Sequence, residues 1–320
     1  MIKFRTEIES ITSKFDLNHQ HQLFSVGSCF SQEIGQQLAY RKFKISINPY
    51  GTLFNPISIK NCIEWSLNEF NPLSDYTIEN QHVFKNHFFH SDINALSKSE
   101  LDSKLQALHA STKLHLRNTD VLFVTLGTAF VHELENCVVA NCHKKSSSLF
   151  SKRLLDLEEI KAPLNLLAKL LPQVKHIIIT VSPIRHTRET LPLNNVSKSL
   201  LLLAVHETVK SNAVFTYFPS YEIMMDDLRD YRFYKEDLIH PNKTAINYIF
   251  NCFEKAFLTR ETQQLNKEII KIQKAIDHNP FHSKTETHQK FLENTLSNAK
   301  KLHSEVNLTD LIDQLENRLA

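Results

Sequence analysis

The stretch LFSVGSCFSQEIGQQL, residues 23–38, opens on the near-continuous apolar run Leu23-Phe24-Ser25-Val26 and closes on the helical spacing Phe30, Ile34, Leu38, with Gly27-Ser28-Cys29 between them. That change of period predicts a buried strand turning directly into an amphipathic helix. Working outward, further strand-length apolar runs lie at 45–47, 121–126, 138–140, 176–181 and 213–218, and helical patterns at 31–43, 155–170, 196–209 and 244–257. Continuous apolar strands alternating with helices predict a parallel sheet covered on both faces, the α/β class.

The chain is sparing with glycine. A typical protein has about 7%, whereas this one has four, Gly27, Gly35, Gly51 and Gly127, in 320 residues. Three of the four sit just after a strand-like run, which is where ligands bind in open α/β sheets. The interesting turns are therefore Gly27-Ser28-Cys29, Asn48-Pro49-Tyr50-Gly51 and Gly127-Thr128-Ala129, joined late in the chain by Asp237-Leu238-Ile239-His240-Pro241-Asn242.

Composition narrows the function classes. With 37 basic and 35 acidic residues no polyanion-binding field is expected, so nucleic acid is not a favoured partner. The start, MIKFRTEIES, is charged where a secretory leader would be apolar, and no segment offers the long uncharged apolar run of a membrane helix. The expectation is a cytoplasmic protein without a membrane partner. Five irregularly spaced cysteines, Cys29, Cys62, Cys137, Cys142 and Cys252, point to free thiols.

Residues 66–116 break the rhythm with Pro72 and several His and Phe, and read as an insertion forming a lid or rim. The domain reading is 1–258 plus a helical extension over 259–320, interrupted at Asn279-Pro280, in which Ile269, Ile270, Ile272 and Ile276 supply a packing stripe. Helical spacing alone does not separate dimerisation from packing within the chain, so the oligomeric state stays open.

Among chemical constellations, Asp237 three residues before His240 is the sharpest. A carboxylate at that spacing, on a turn fixed by Pro241, would orient the imidazole of a general base; the alternative is a plain helix start capped by Asn242. His132, Cys137, Cys142 and His143 lack the second close pair of a zinc site, and no metal is expected. Arg185 and His186 follow a strand and suit an anionic or sugar substrate, or are ordinary loop residues.

Six ordered motifs, VGSCFS (26–31), INPYGTLFNP (47–56), VTLGTAF (124–130), VANCHK (139–144), TVSPIRH (180–186) and YFPSYEIMMDDLRDYRFYKEDLIHP (217–241), together resemble the GSCFA-domain family, a member of the SGNH (GDSL-like) hydrolase superfamily. The resemblance covers about residues 23–257. It implies a three-layer, flavodoxin-like α/β/α sandwich of SGNH type. It also implies that Gly27-Ser28-Cys29 matches the superfamily's Gly-Asp-Ser, with Cys29 in the nucleophile's place. Gly51 would be an oxyanion donor through its N–H, and Gly127 with Thr128 would open the third block. Asp237 and His240 would match the Asp-x-x-His of the fourth, Asp237 orienting His240 as the base. Ala129 departs from the pattern, since it stands where the superfamily has an oxyanion-binding Asn. Asn141, His143 and His90 are candidates for that missing contact.

Cys29 falls in the first turn of a helix, where the dipole favours negative charge. For Ser28 the competing role is helix cap, and for Cys29 a small core residue. The activity implied is an ester hydrolase or acyl (acetyl) esterase acting on a carbohydrate or other small ester, with no cofactor. The alternatives are an O-acyltransferase taking acetyl-CoA to a glycan, or a non-catalytic carbohydrate- or acyl-binding protein of the same fold.

Overall fold

Along the first strand Phe24 and Val26 point to one face and Leu23 and Ser25 to the other, and every central strand divides its side chains in the same way. The computed structural model describes residues 6–9, 13, 15–68, 76–278 and 285–319. The first part of the chain runs β1 (Gln22–Gly27), α1 (Cys29–Tyr40), β2 (Lys44–Ile47), α2 (Pro56–Leu67), β3 (Thr77–Asn80), β4 (Val83–Asn86), β5 (Asn94–Ala95) and α3 (Lys98–Arg117). There follow β6 (Val121–Leu126), β7 (Phe130–Leu134), β8 (Cys137–Val139), β9 (Ser151–Leu154), α4 (Leu157–Leu170), β10 (His176–Val181) and α5 (Leu191–Ser211). The last part comprises β11 (Phe215–Tyr217), the single turn α6 (Ser220–Glu222), α7 (Lys243–Phe257), α8 (Arg260–Asp277), α9 (Glu286–Leu302) and α10 (Thr309–Leu319).

Five strands form the central sheet in the order β2-β1-β6-β10-β11, and every pairing is parallel. Strand order reverses between β1 and β6, so the carboxyl ends of these two strands frame the topological switch point of a flavodoxin-like order. On one face Leu23, Val121, Phe123 and Ile178 pack under α1 (Phe30, Ile34, Leu38) and α7 (Ile249, Phe250, Phe253, Phe257). On the other, Phe24, Val26, Leu122, Val124, Ile177 and Ile179 pack under α2, α3, α4 and α5. The inner strands β1, β6 and β10 are buried from both sides, which is why they read as near-continuous apolar runs.

Three expectations change. The apolar run 138–140 belongs to β8, in a separate antiparallel sheet β8-β7-β9, because it is tied to β7 by a hairpin and not by a crossover helix. The supposed insertion 66–116 is only partly one. Residues 77–95 form the small antiparallel sheet β3-β4-β5, but Leu101, Leu105 and Leu116 of α3 lie in the main core. Two helices start earlier than the ranges read from the spacing, at Cys29 and at Leu191, where Ser28 and Thr190 cap them. Pro72 and the Asn279-Pro280 break lie outside the described residues.

Helices α8–α10 share a small core of their own, built on Ile269, Ile272, Leu292, Leu308, Leu311 and Leu315. Helix α8 is fastened to the sandwich where Asn266 Nδ2 donates to Glu254 at 2.8 Å and Gln273 Nε2 donates to the Tyr40 carbonyl at 3.2 Å. Among the described residues no helix is long and apolar enough to cross a membrane.

Candidate active site

The turn after β1 is built around Gly27. Its φ is +139°, and a β-carbon there would stand 2.2 Å from the Thr125 carbonyl oxygen of β6, so no other residue fits. Ser28 donates its N–H to that same carbonyl at 3.0 Å. The Ser28 hydroxyl, 0% exposed, accepts the Phe30 N–H at 3.3 Å and caps α1. Cys29 is the first helical residue, half-buried, with Sγ 3.9 Å from Thr52 Oγ1. Its own N–H has no acceptor among the described residues, as expected of a first helical turn.

The loop after β2 folds over this turn. Leu53 N–H donates to the Gly27 carbonyl at 2.9 Å, and Asn48 Nδ2 reaches the Ser28 carbonyl at 3.5 Å. Gly51 has φ +71° and lies against His90, whose β-carbon is 2.2 Å from where a Gly51 side chain would begin. The Gly51 N–H donates to the Asn48 carbonyl at 2.8 Å, closing the turn, so the oxyanion role implied for it is filled by a backbone bond instead. His90 stands beside that turn, its ring paired with Asp92 at 3.1 Å.

The Asp237 turn is arranged as its spacing suggested. Oδ2 of Asp237 accepts from His240 Nδ1 at 2.7 Å, while Oδ1 accepts the N–H groups of both Ile239 and His240 at 2.9 Å. These bonds, led by the His240 N–H, then the Ile239 N–H and the imidazole, pull the exposed Asp237 carboxyl down to about 2. An ionised carboxylate only accepts, so Nδ1 carries a proton, and in the neutral imidazole Nε2 is the nitrogen with the lone pair. Leu238 takes φ 58° at the apex of the turn.

Three contacts dock this turn. Lys235 pairs with Glu33 of α1 at 3.6 Å, and Cys29, Phe233, Tyr234 and Ile239 pack against the same apolar cluster. Arg185 donates through Nη2 to the Leu238 carbonyl, with its guanidinium carbon 4.4 Å over the Tyr234 ring and 5.4 Å from that of Tyr231. Arg185 therefore braces the Asp237 to His240 turn.

The third block is used differently from the expectation. The N–H groups of Gly127 and Thr128 both donate to the Phe54 carbonyl, at 2.7 and 3.0 Å, and the Ala129 N–H donates to Ser197 Oγ at 2.7 Å. None of the three is free to receive an oxyanion. Asn141 and His143 are likewise occupied. Asn141 Nδ2 donates to Ser91 and its Oδ1 accepts the His143 N–H, while the His143 ring nitrogens meet Ser91 Oγ and the Asn86 carbonyl. Both belong to the framework of the β3–β5 arm, and burial pulls His143 down to about 4.

His186 is closer to the centre. Its ring stands edge-on to Phe54 at 5.2 Å, and its Nε2, buried and without a hydrogen-bond partner, lies 3.2 Å from where a Gly127 side chain would begin. Burial first, then the charges of Lys198 and His240, hold it neutral with a value of about 3. Sequence reading missed the polar face of α5, namely Asn194, Ser197 and Lys198, all buried. The signal was present in their i, i+3, i+4 spacing, in phase with the core residues Leu201 and Val205. Among the described residues no three His, Cys, Asp or Glu side chains are grouped to hold a metal ion.

A parallel α/β sandwich with a carboxylate–imidazole pair and a helix-terminal cysteine beside its switch point defines a class of molecule. The chain belongs to the GSCFA family, whose pattern matches residues 22–253, and the pattern described as the C-terminal domain of GSCFA domain proteins matches residues 269–320. No curated protein matches it.

Proposed function

We propose that this protein is an SGNH-like hydrolase of carboxylic esters, taking an acyl ester of a carbohydrate or another small alcohol. The observation that carries the reading is the 2.7 Å bond from His240 Nδ1 to an Asp237 carboxylate held ionised, which leaves Nε2 as a base. Cys29 is favoured over Ser28 as nucleophile because Ser28 is fully buried and caps α1, whereas the Cys29 side chain is partly exposed at the start of that helix.

In this mechanism Cys29 Sγ bonds to the acyl carbon while its proton passes to His240 Nε2. The carbonyl electron pair moves onto oxygen, beside the unpartnered Cys29 N–H at the positive end of α1. Collapse breaks the carbon–oxygen bond and the alcohol leaves with the proton from His240. Water, deprotonated by the same imidazole, then hydrolyses the thioester and restores the thiol.

Hydrolysis of p-nitrophenyl acetate and acetylated sugars by the wild type, Cys29→Ala, Ser28→Ala and His240→Ala tests this. Activity lost in Cys29→Ala and His240→Ala but kept in folded Ser28→Ala supports it, and activity that survives Cys29→Ala removes Cys29 as nucleophile. Acetyl transfer from acetyl-CoA to a sugar, without ester hydrolysis, would replace the hydrolase reading by the transferase one.

A further inference from the structure

Lys198 is only 1% exposed, within α5, its Nζ 5.7 Å from the centre of the Tyr221 ring, and burial pulls its ammonium group down. Among the described residues no carboxylate pairs with it. A buried lysine without a counter-charge needs full hydrogen bonding to persist. Its Nζ donates to the Gly127 carbonyl and to the Ser182 carbonyl, each at 2.7 Å, the short length of a charge-assisted bond. Gly127 is the first residue beyond β6 and Ser182 the first beyond β10, neighbouring strands at the carboxyl edge of the sheet.

The residues beside it on the same face complete the pattern. Ser197 Oγ accepts the Ala129 N–H at 2.7 Å, and Asn194 Oδ1 accepts the His186 N–H at 2.9 Å. Lys198 thus supplies donors to two loop carbonyls while its neighbours supply acceptors to two loop amides. These are the backbone groups that the sheet leaves unpaired where its ladder ends.

We infer that Lys198 is a positioning residue of this site: one buried nitrogen holds the first carbonyls beyond β6 and β10 and so fixes the Gly127 loop against the loop that carries Arg185 and His186. The inference rests on the esterase reading for its functional consequence, because Arg185 braces the Asp237 to His240 turn and His186 lies over Gly127. Either protonation state serves, since an ammonium offers three donors and an amine two.

Lys198→Met keeps the unbranched apolar stem as far as Cε and removes the terminal donors. With p-nitrophenyl acetate the expected result is a kcat lower by about a hundredfold, the scale of a small misplacement of reacting groups, with KM within about twofold. Amide exchange at Ala129 and His186 should quicken by about tenfold while β1 and α7 keep their protection. Unchanged exchange at those two amides, or an unchanged kcat in the folded variant, overturns the inference. Should the wild type hydrolyse no ester, the hydrolase reading fails and exchange alone decides the clamp. Should Lys198→Met not fold, the wild-type Lys198 Nζ protons decide it by nitrogen-15 NMR at acid pH. Slow exchange is expected, and exchange at the rate of a surface lysine overturns the clamp.

Discussion

At the residue scale Gly27 and Asp237 show how differently sequence can speak. Gly27 was legible as a turn because glycine is rare here, but its reason, the Thr125 carbonyl 2.2 Å from any β-carbon, belongs to another strand. Gly27→Ala is expected to lose about 3 kcal/mol or more by urea unfolding, since the clash is with backbone and the φ of +139° is unfavourable to alanine. A loss below about 1 kcal/mol, the size of an ordinary substitution, would show that β1 and β6 part easily here. Asp237 was legible in its partner as well, because a three-residue spacing is local. Asp237→Asn should lower kcat by about a thousandfold or more through loss of the imidazole's orientation, with little change in thermal stability because both side chains are exposed. The folded Asp237 carboxyl is depressed from 3.8 to about 2, so its contribution is present above the unfolded value and fades only as pH falls towards the folded one. An acid limb in the rate profile near neutrality would therefore not come from Asp237, and Asp237→Glu or Asp237→Asn profiles compared with the wild type check this.

Elements were legible where their burial is continuous and illegible where polar side chains face inward. The strands β6 and β10 are buried along their whole length and β1 from Leu23 onward, and their apolar runs announce them. In α5, by contrast, Asn194, Ser197 and Lys198 are buried polar groups whose partners lie in distant loops, so the segment LNNVSKS reads as a solvated start. The N–H groups of Gly51, Gly127 and Thr128 are taken up by backbone carbonyls for a related reason: a motif specifies residues, but the acceptor of each N–H is decided by neighbouring loops, here Asn48 and Phe54. Ser197→Ala isolates one such partnership. It leaves the buried Ala129 N–H without its acceptor and removes a bond to Thr128 Oγ1, and should cost about 1–3 kcal/mol in denaturant unfolding. A neutral result would mean that water replaces the hydroxyl.

At the scale of the whole molecule, the α/β class follows from alternation, but the order β2-β1-β6-β10-β11 does not, because periodicity says which faces are buried and nothing about which strands meet. The order matters, for it sets Lys198 beneath two adjacent strand ends, and that placement leaves a signature in the pH dependence of folding. Burial lowers Lys198 from 10.5 to about 7. Between those values the unfolded chain binds a proton that the folded chain has released, so stability from this group rises with pH, at up to about 1.4 kcal/mol per unit. Below the folded value its contribution is flat and least favourable. His143 and His186, held near 4 and 3, act in the same sense at lower pH, since folding is weakened as pH falls below 6.5 and the unfolded imidazoles take up protons. Cys62 acts oppositely in alkali, because burial raises its thiol and the unfolded state ionises first. Comparing wild type with Lys198→Met cancels these shared terms. Urea unfolding from about pH 6 to 9 should show the wild type gaining on the variant as pH rises through this window. Parallel curves would mean that the folded Lys198 keeps an ordinary ammonium, and that solvent reaches the clamp.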